Sequence, residues 1–387
     1  MADRRTSIRA SQLKNFSITG EDVKDNSLPG GKLIDNTVSG TKLVDTYVKE
    51  SGHTMTGNLT IPSLNDGPLS GLRNFIINGD FRIAQRGTSF TSSSPNYTVD
   101  HVRVVGGAGT GNITVERKEF TLGQTDVDDD PIYYLEISST GDRAPYLYFP
   151  IEDVRLLAGK KVTLSFWAKV GGTSYNLNPY IGQEFGSGGS SAVYTALSNI
   201  TPTTSWAKYT RTFTIPSISG KTLGSGHFSV IHFSHVNTYN SKLYLANIQL
   251  ELGNVVTPFE KRPIGLELLL CQRYYEHSHG LDTGFKTKDL YYIDGSITRA
   301  RSNHLTSFIV HFKTVKRVAP TMTFYNNTGN SGYCSWENPG VGNSGSSNIS
   351  IQDVRSTTGN AMFRSADSSI PDGAFIYANW EADAELR

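Results

Sequence analysis

The chain has 387 residues, and its 36 Lys and Arg nearly balance 35 Asp and Glu for a formal charge of +1, so no broad basic or acidic field points to nucleic acid or to a cation store. Only 18% of residues are charged, and 38 Gly, 19 Tyr and 18 Phe accompany many Ser, Thr and Asn, a composition of short strands and turns. No apolar run approaches the roughly 18 residues of a membrane-spanning helix, and the charged start MADRRTSIR lacks the apolar core of a secretory signal. The length allows two or three domains, and the predicted fold class is all-β.

From Ile8 onward an apolar residue falls at every fifth position: Ile8, Leu13, Ile18, Val23, Leu28, Leu33, Val38, Leu43 and Val48. A spacing of five matches neither the 3.6-residue helical period nor strand alternation. Asp25-Asn26 and Asp35-Asn36 suit Asx turns, and Gly20, Gly30 and Gly40 suit the alternate corners. One such ribbon buries too little apolar surface to offset about 1 to 2 kcal/mol of backbone entropy per residue. Residues 1–50 are therefore either a polar arm or a repetitive segment whose copies share a core, and we expect a symmetric homotrimer.

Residues 51–73 hold one strand-like pulse, Met55 to Ile61, followed by Pro, Gly and Asn, and read as a linker. From Asn74 the texture changes to short strands: FIING, NITVERKEF, YYLEIS, KKVTLSFWAKV, AKYTRTFTI, HFSVIHFSHV and KLYLANIQLEL. Their spacing predicts an antiparallel sandwich or jelly roll over 74–262. In VTLSFW, Val162, Leu164 and Phe166 should face the core and Trp167 the other side, while the alternation of LYLANIQL shifts near Ala246 as at a bulge. Residues 263–387 begin with IGLELLLCQRYYEHS, a short helix or a buried strand, and continue with pulses that suit a smaller β-sandwich. The Gly-, Asn- and Ser-rich stretch from Asn326 to Asn348 reads as long exposed loops.

No G-x-S-x-G, H-E-x-x-H, P-loop or dinucleotide fingerprint occurs, and GSGGSS at Gly186 to Ser191 reads as a flexible turn. Glu136, Glu184 and Glu251 are carboxylates that a glycosidase would need to pair across a cleft, and nothing in the sequence pairs them. Asp126, Asp128 and Asp130 are either a solvated loop or alternate carboxylates for Ca²⁺. His277 and His279, repeated around a threefold axis, would supply six imidazoles to a transition metal, and otherwise they are an unliganded pair. His227, His232 and His235 have mixed strand parity and are expected to be satisfied structural residues. Cys271 and Cys334 are expected to be free thiols. Aromatic faces and side-chain amides grip sugars. Trp167, Tyr175, Tyr180, Trp206 and Tyr239, with Asn176 and Asn237, are the candidates for that role, the alternative being core or subunit contacts.

NFIINGDFRIAQRGTSF at 74–90, VTLSFWAK at 162–169, Trp206 to Phe213 and LYLANIQLELGNVVTPFEKRP at 243–263 together resemble the jelly-roll modules, related to carbohydrate-binding modules, of bacteriophage tail-fibre and receptor-binding proteins. CQRYYE at 271–276, the ending FIYANWEADAEL and the N-terminal ladder resemble the distal and virion-attached parts of the same proteins. The chain departs from the family pattern at Ala84, Asp100-His101-Val102 and Ala246-Asn247, so the family's calcium and sugar contacts are not carried over. The resemblance implies a homotrimer made in the host cytoplasm and carried on the virion. Its N-terminus would bind a tail adaptor, nozzle or other tail protein, and its distal part would adhere to host surface glycans without a required cofactor. A depolymerase and a purely structural appendage are the alternatives.

Overall fold

The computed structural model describes residues 71–172, 176–235, 242–279, 281, 298–299, 306–338, 343–350, 353–365 and 373–386. The ladder at 8–48, the pulse at 55–61 and residues Tyr175, Asn237 and Tyr239 lie outside them.

Strands β1 (Ser89–Ser92), β2 (Asn96–Tyr97), β3 (Arg103–Gly106), β4 (Ile113–Glu119), β5 (Tyr133–Ser139), β6 (Pro145–Glu152), β7 (Lys161–Gly171), β8 (Leu177–Glu184), β9 (Val193–Ala196), β10 (Ala207–Thr214), β11 (Phe228–His235) and β12 (Lys242–Leu252) come first. They form two six-stranded antiparallel sheets, ordered β1-β4-β5-β12-β7-β10 and β2-β3-β6-β11-β8-β9. Alternation places one side of every strand inward. Val162, Leu164 and Phe166 of β7 meet Ile231 and Phe233 of β11 in one apolar core, with the Phe166 and Phe233 rings 4.9 Å apart. Trp167 faces outward from β7 and is half-buried. The register of β12 against β7 shifts between Ala246 and Gln249, and Asn247 takes φ +47° there, so the expected bulge is present.

Two local readings change. FIING forms turns instead of a strand: Asn78 has φ +57°, and its side chain bonds the Ile83 amide and carbonyl. GSGGSS is not loose, because Ser187 exchanges backbone hydrogen bonds with Ser225 at 2.9 and 3.0 Å and Gly224 N–H donates to the Phe185 carbonyl at 2.7 Å. A Cβ on Gly189 or Gly224 would come within 2.1 Å of a backbone carbonyl oxygen, so only glycine permits this approach.

The second half opens with helix α1 (Ile264–Gln272), which resolves the helix-or-strand alternative, and continues with β13 (Tyr275–His277), β14 (Thr298–Arg299), β15 (Thr306–His311), β16 (Thr321–Tyr325), β17 (Tyr333–Asn338), β18 (Asn343–Ser350), β19 (Asp353–Ser356), β20 (Asn360–Ser365), β21 (Phe375–Tyr377) and β22 (Asn379–Asp383). Among the described residues these make three small sheets, β13-β22-β16, β14-β21-β17-β18 and β15-β20-β19. Phe324, Trp336, Ile376 and Trp380 lead their apolar cluster. The expected long exposed loop at 326–348 is mostly strand. Cys334, Ser335 and Trp336 of β17 are buried there because the apolar residues among the glycines alternate tightly enough to pair with β18 and β21. Cys271 and Cys334 are both buried, and no disulfide joins them. No helix among the described residues is long and apolar enough to cross a membrane.

The second half docks on the outer face of the second sheet. Tyr274 and Leu386 pack on Phe228 and Val230, and burying side chains of this size stabilises by about 1.5 to 3 kcal/mol each. Around them Arg273 grips Glu152 at 2.7 and 2.8 Å, Arg86 lies 3.1 Å from Glu385, and His101 stands 3.3 Å from Glu385 and 3.0 Å from the Pro150 carbonyl. Burial pushes the Glu385 carboxyl upward, but the Arg86 guanidinium and His101 outweigh it and hold the group below the ordinary carboxylate range. The departures at Asp100 and His101 thus belong to the docking: Asp100 accepts from both the backbone and side-chain nitrogens of Gln85.

Candidate functional site

The part of that outer face left open is aromatic. Cα register aligns Tyr97, Arg103, Tyr148, His232, Tyr180 and Ala196 as one row across six strands, with Tyr97 at its covered end, where its hydroxyl donates to the Leu386 carbonyl. The adjoining row holds Tyr146, Ser234 and Asn178, and on the other side Val230 and Gly182 stand beside Tyr194. Inward neighbours Leu147, Phe149, Ile231 and Phe233 are in the core, so the alternation itself aims these rings out.

His232 is the centre. Tyr148 stacks on it at 4.4 Å and 6°, Tyr180 at 5.4 Å and 24°, while Tyr146 at 5.4 Å and Tyr194 at 6.1 Å close the sides. His232 is 8% exposed, and neither ring nitrogen has a hydrogen-bond partner among the described residues. The expectation of a satisfied histidine is corrected here: parity made it outward-facing, and its neighbours in register are rings, which cannot bond in-plane nitrogens. Burial lowers its pKa from 6.5 to about 4, so at neutral pH it carries one N–H donor and one acceptor. The Asn178 amide oxygen beside the row is also buried without a hydrogen-bond partner among the described residues. Unmatched buried polar atoms are costly, and three of them, the two His232 nitrogens and the Asn178 oxygen, lie on this face.

Tyr194 owes its position to a glycine. A Cβ at Gly182 would meet Tyr194 Cε1 and Val230 Cγ1, each at 2.7 Å, so the ring lies across β8 only because position 182 is bare. Its hydroxyl donates to the Glu184 carboxylate. Burial, reinforced at Tyr194 by Glu184, raises the phenol pKa of Tyr148 and Tyr194, and both remain protonated donors at neutral pH. Arg103 caps the row with its guanidinium 5.8 Å from the Tyr148 centroid and its Nε 3.3 Å from Asn96.

The sequence candidates do not converge on this face. Tyr180 is in it, and Asn176 lies at the start of β8, where its Oδ1 accepts from the Thr201 hydroxyl at 2.8 Å. Trp167 and Trp206 lie on the outer face of the other sheet. There Trp206 packs with Phe120, Tyr134 and Tyr244 at 5.4 to 6.3 Å, under the Lys169 ammonium at 5.1 Å. Tyr146, Tyr148, Tyr194, Asn178 and Arg103 were not anticipated. The available signal was the Tyr-x-Tyr of 146–148, which puts two rings on one face of a strand.

The remaining candidates have local partners. Asp126 and Asp128 are exposed, the Asp130 carboxylate accepts from the Gly123 amide at 3.1 Å, and the Lys261 ammonium donates to the Asp129 carbonyl. His277 is buried with Nε2 3.1 Å from the Gln85 carbonyl, and its Nδ1 accepts from the His279 amide at 3.2 Å. His279 Nε2 stands 2.8 Å from Asn379 Oδ1. Among the described residues no three His, Cys, Asp or Glu side chains gather where they could hold a metal ion. Glu136 pairs with Lys242 on the first sheet, Glu184 is on the second, and Glu251 is buried against Thr257, so these carboxylates share no cleft.

A protein-family model described as a carbohydrate binding domain matches residues 108–224, a span that contains β6, β8 and β9. Among solved structures, the enzymatically active domain of tailspike protein 4 of bacteriophage CBA120 is similar at 17% identity over 48% of this chain and 22% of that one, with a TM-score of 0.32. A carbohydrate-binding module of type CBM4 is similar at 18% identity over 46% of this chain and 99% of its own, with a TM-score of 0.27. The family 11 module of Clostridium thermocellum, solved with a β-1,3-1,4-mixed-linked tetrasaccharide, is similar at 17% identity over 44% and 98%, with a TM-score of 0.28. Structural likenesses of this size carry no functional argument. No curated protein matches the chain. The central sandwich is therefore like a carbohydrate-binding module, and the matched family is one of binding domains and not of catalytic ones.

Proposed function

We propose that this chain is a bacteriophage tail-fibre or receptor-binding protein that adheres non-covalently to host surface glycans through the outer face of β6, β11 and β8. The observation that carries the reading is the His232 cage. A sugar offers C–H faces to rings and hydroxyls to paired donors and acceptors. This face offers the Tyr146, Tyr148, Tyr180 and Tyr194 rings, a neutral imidazole with both nitrogens unmatched, and the unmatched Asn178 oxygen. The family match over 108–224 and the order of motifs along the chain support it. On this reading the ladder from Ile8 to Val48 attaches a homotrimer to a tail protein of the virion, residues 263–387 form the distal end, and several modest sites act together through avidity. No cofactor is needed.

The test is affinity electrophoresis of the full chain through gels containing host surface polysaccharide, alongside competition with phage for adsorption. Retardation and blocked adsorption are expected, lost in His232→Ala and Tyr180→Ala and retained in Trp167→Ala. Retention that survives both substitutions in folded protein would overturn the assignment of the face, and release of reducing ends would make the chain a depolymerase instead.

A further inference from the structure

Beside the aromatic face lies a cleft of about 650 Å³ where the β8–β9 loop meets the second half of the chain. The sandwich supplies Glu184, Ser187 and Ser225, and the second half supplies Arg317, Ala319 and Thr321. We propose that this cleft is a second subsite that takes the hydroxyl-rich continuation of a glycan chain held on the His232 face, so that the complete site is built from both halves of the chain. This rests on the glycan-binding reading above.

Three observations carry it. First, the two places are joined by one side chain. Tyr194 stands 6.1 Å from His232, and its hydroxyl donates to Glu184, which lines the cleft. Along β11, Phe228 of the cleft and His232 of the cage point to the same side four residues apart, roughly 13 Å at strand rise.

Second, both walls are fixed before any ligand arrives. The loop wall is tied by the Ser187 and Ser225 backbone exchange and by glycines that admit no Cβ. The opposite wall is anchored through Arg317, whose Nε and Nη2 donate to the Ala384 and Glu385 carbonyls at 3.0 and 3.1 Å, while its amide donates to the Arg273 carbonyl at 3.1 Å. Preorganised walls spare a ligand the cost of ordering them.

Third, the lining suits a polyol. Its hydroxyls at Ser187, Ser225 and Thr321 are on exposed residues, and its Glu184 carboxylate is an acceptor. Arg317 Nη1, which makes no hydrogen bond with the described residues, runs 3.7 Å from the Cβ position of Gly226 along the wall. Asp383 and Glu385 line it too, so acids outnumber the one base, Arg317, and a run of neutral hydroxyls is matched better than a string of negative charges.

The experiment uses the full chain and a ladder of oligosaccharides prepared by partial hydrolysis of host surface polysaccharide, with affinities by titration calorimetry. Ala319→Trp and Ser187→Trp fill the cleft from opposite walls, and both residues are exposed, so folding is kept. The native chain should gain affinity with oligomer length. Both variants should lose about tenfold for long oligomers and leave short ones unchanged, whereas His232→Ala loses both. Unchanged affinity of the two variants across the ladder would overturn the subsite and leave the glycan-binding reading standing. Equal losses at every length would also overturn it, by making the cleft part of the primary site, and absence of binding by the native chain would remove both readings.

Discussion

His232 makes the burial of the face measurable without any ligand. Its pKa is about 4 in the folded chain against 6.5 for an unperturbed histidine, with burial as the cause. The folded form therefore binds fewer protons between those values, and the contribution to stability is full above pH 6.5 and lost as the pH falls towards 4. At pH 5.0 an unfolded histidine is almost fully protonated and the folded one about a tenth so, which works out at about 2 kcal/mol of stability lost relative to pH 7.5, and about 3 kcal/mol once the pH passes the folded value.

The perturbation that isolates this is His232→Phe, which keeps a flat ring against Tyr148 and removes the titration. Urea unfolding followed by near-ultraviolet circular dichroism, at steps from pH 7.5 to pH 5.0, gives both stabilities. The difference between native and variant cancels every other titrating group. It should move by about 2 kcal/mol in favour of the variant as the pH falls. A difference that stays constant to within about 0.5 kcal/mol would mean that the imidazole is hydrated or paired in solution, and the argument from unmatched nitrogens would fail with it.

Gly182→Ala places a Cβ 2.7 Å from Tyr194 and from Val230, so we expect about 1 to 3 kcal/mol of destabilisation by thermal unfolding and a several-fold loss of polysaccharide retention as the Tyr194 ring is displaced. Lys316→Met strands Glu276, whose ion pair with Lys316 is fully buried, and should cost about 3 to 5 kcal/mol, part of which Glu276→Gln in the same chain restores, as read by unfolding midpoints. Trp206→Ala opens the aromatic group on the first sheet and should leave polysaccharide retention unchanged, because that group faces away from His232.

What was legible in the residues was the first sheet. β4, β5 and β10 alternate because one face is more buried than the other, β7 and β12 keep apolar residues at alternate positions although both of their faces are largely covered, and even the bulge at Ala246 breaks the pattern visibly. Of the strands that carry the site, β11 was legible as HFSVIHFSHV, but β6 and β8 were not. β6 reads PYLYFPIE and β8 reads LNPYIGQE, and proline or glycine in such runs argues against a strand. Each exception has its own cause. Pro150 lies past Tyr148, the last residue of β6 that β3 pairs, and Pro179 turns its carbonyl to the Leu197 amide. Gly182 leaves room for Tyr194. Residues that look poor for a strand are concentrated where the face holds its rings, so local inconsistency coincides with the face to which we assign glycan binding.

Parity could say that His232 and Tyr180 each face outward from their strands, but only register makes them neighbours, and register is fixed by pairing across β6, β11 and β8. The same face then serves two ends. Its lower half, Val230 and Phe228, is covered by Tyr274 and Leu386, while its upper half keeps His232 under tyrosine rings with neither ring nitrogen hydrogen-bonded among the described residues. The docked half is held by charge pairs, Glu385 with Arg86 and Glu152 with Arg273, while around His232 an uncharged imidazole, protonated phenols and an amide stand between the Arg103 guanidinium and the Glu184 carboxylate. Charge pairs therefore help fix how the two halves of the chain meet, and on the glycan-binding reading proposed above the other part of the face would select its ligand by ring contact and hydrogen-bond geometry.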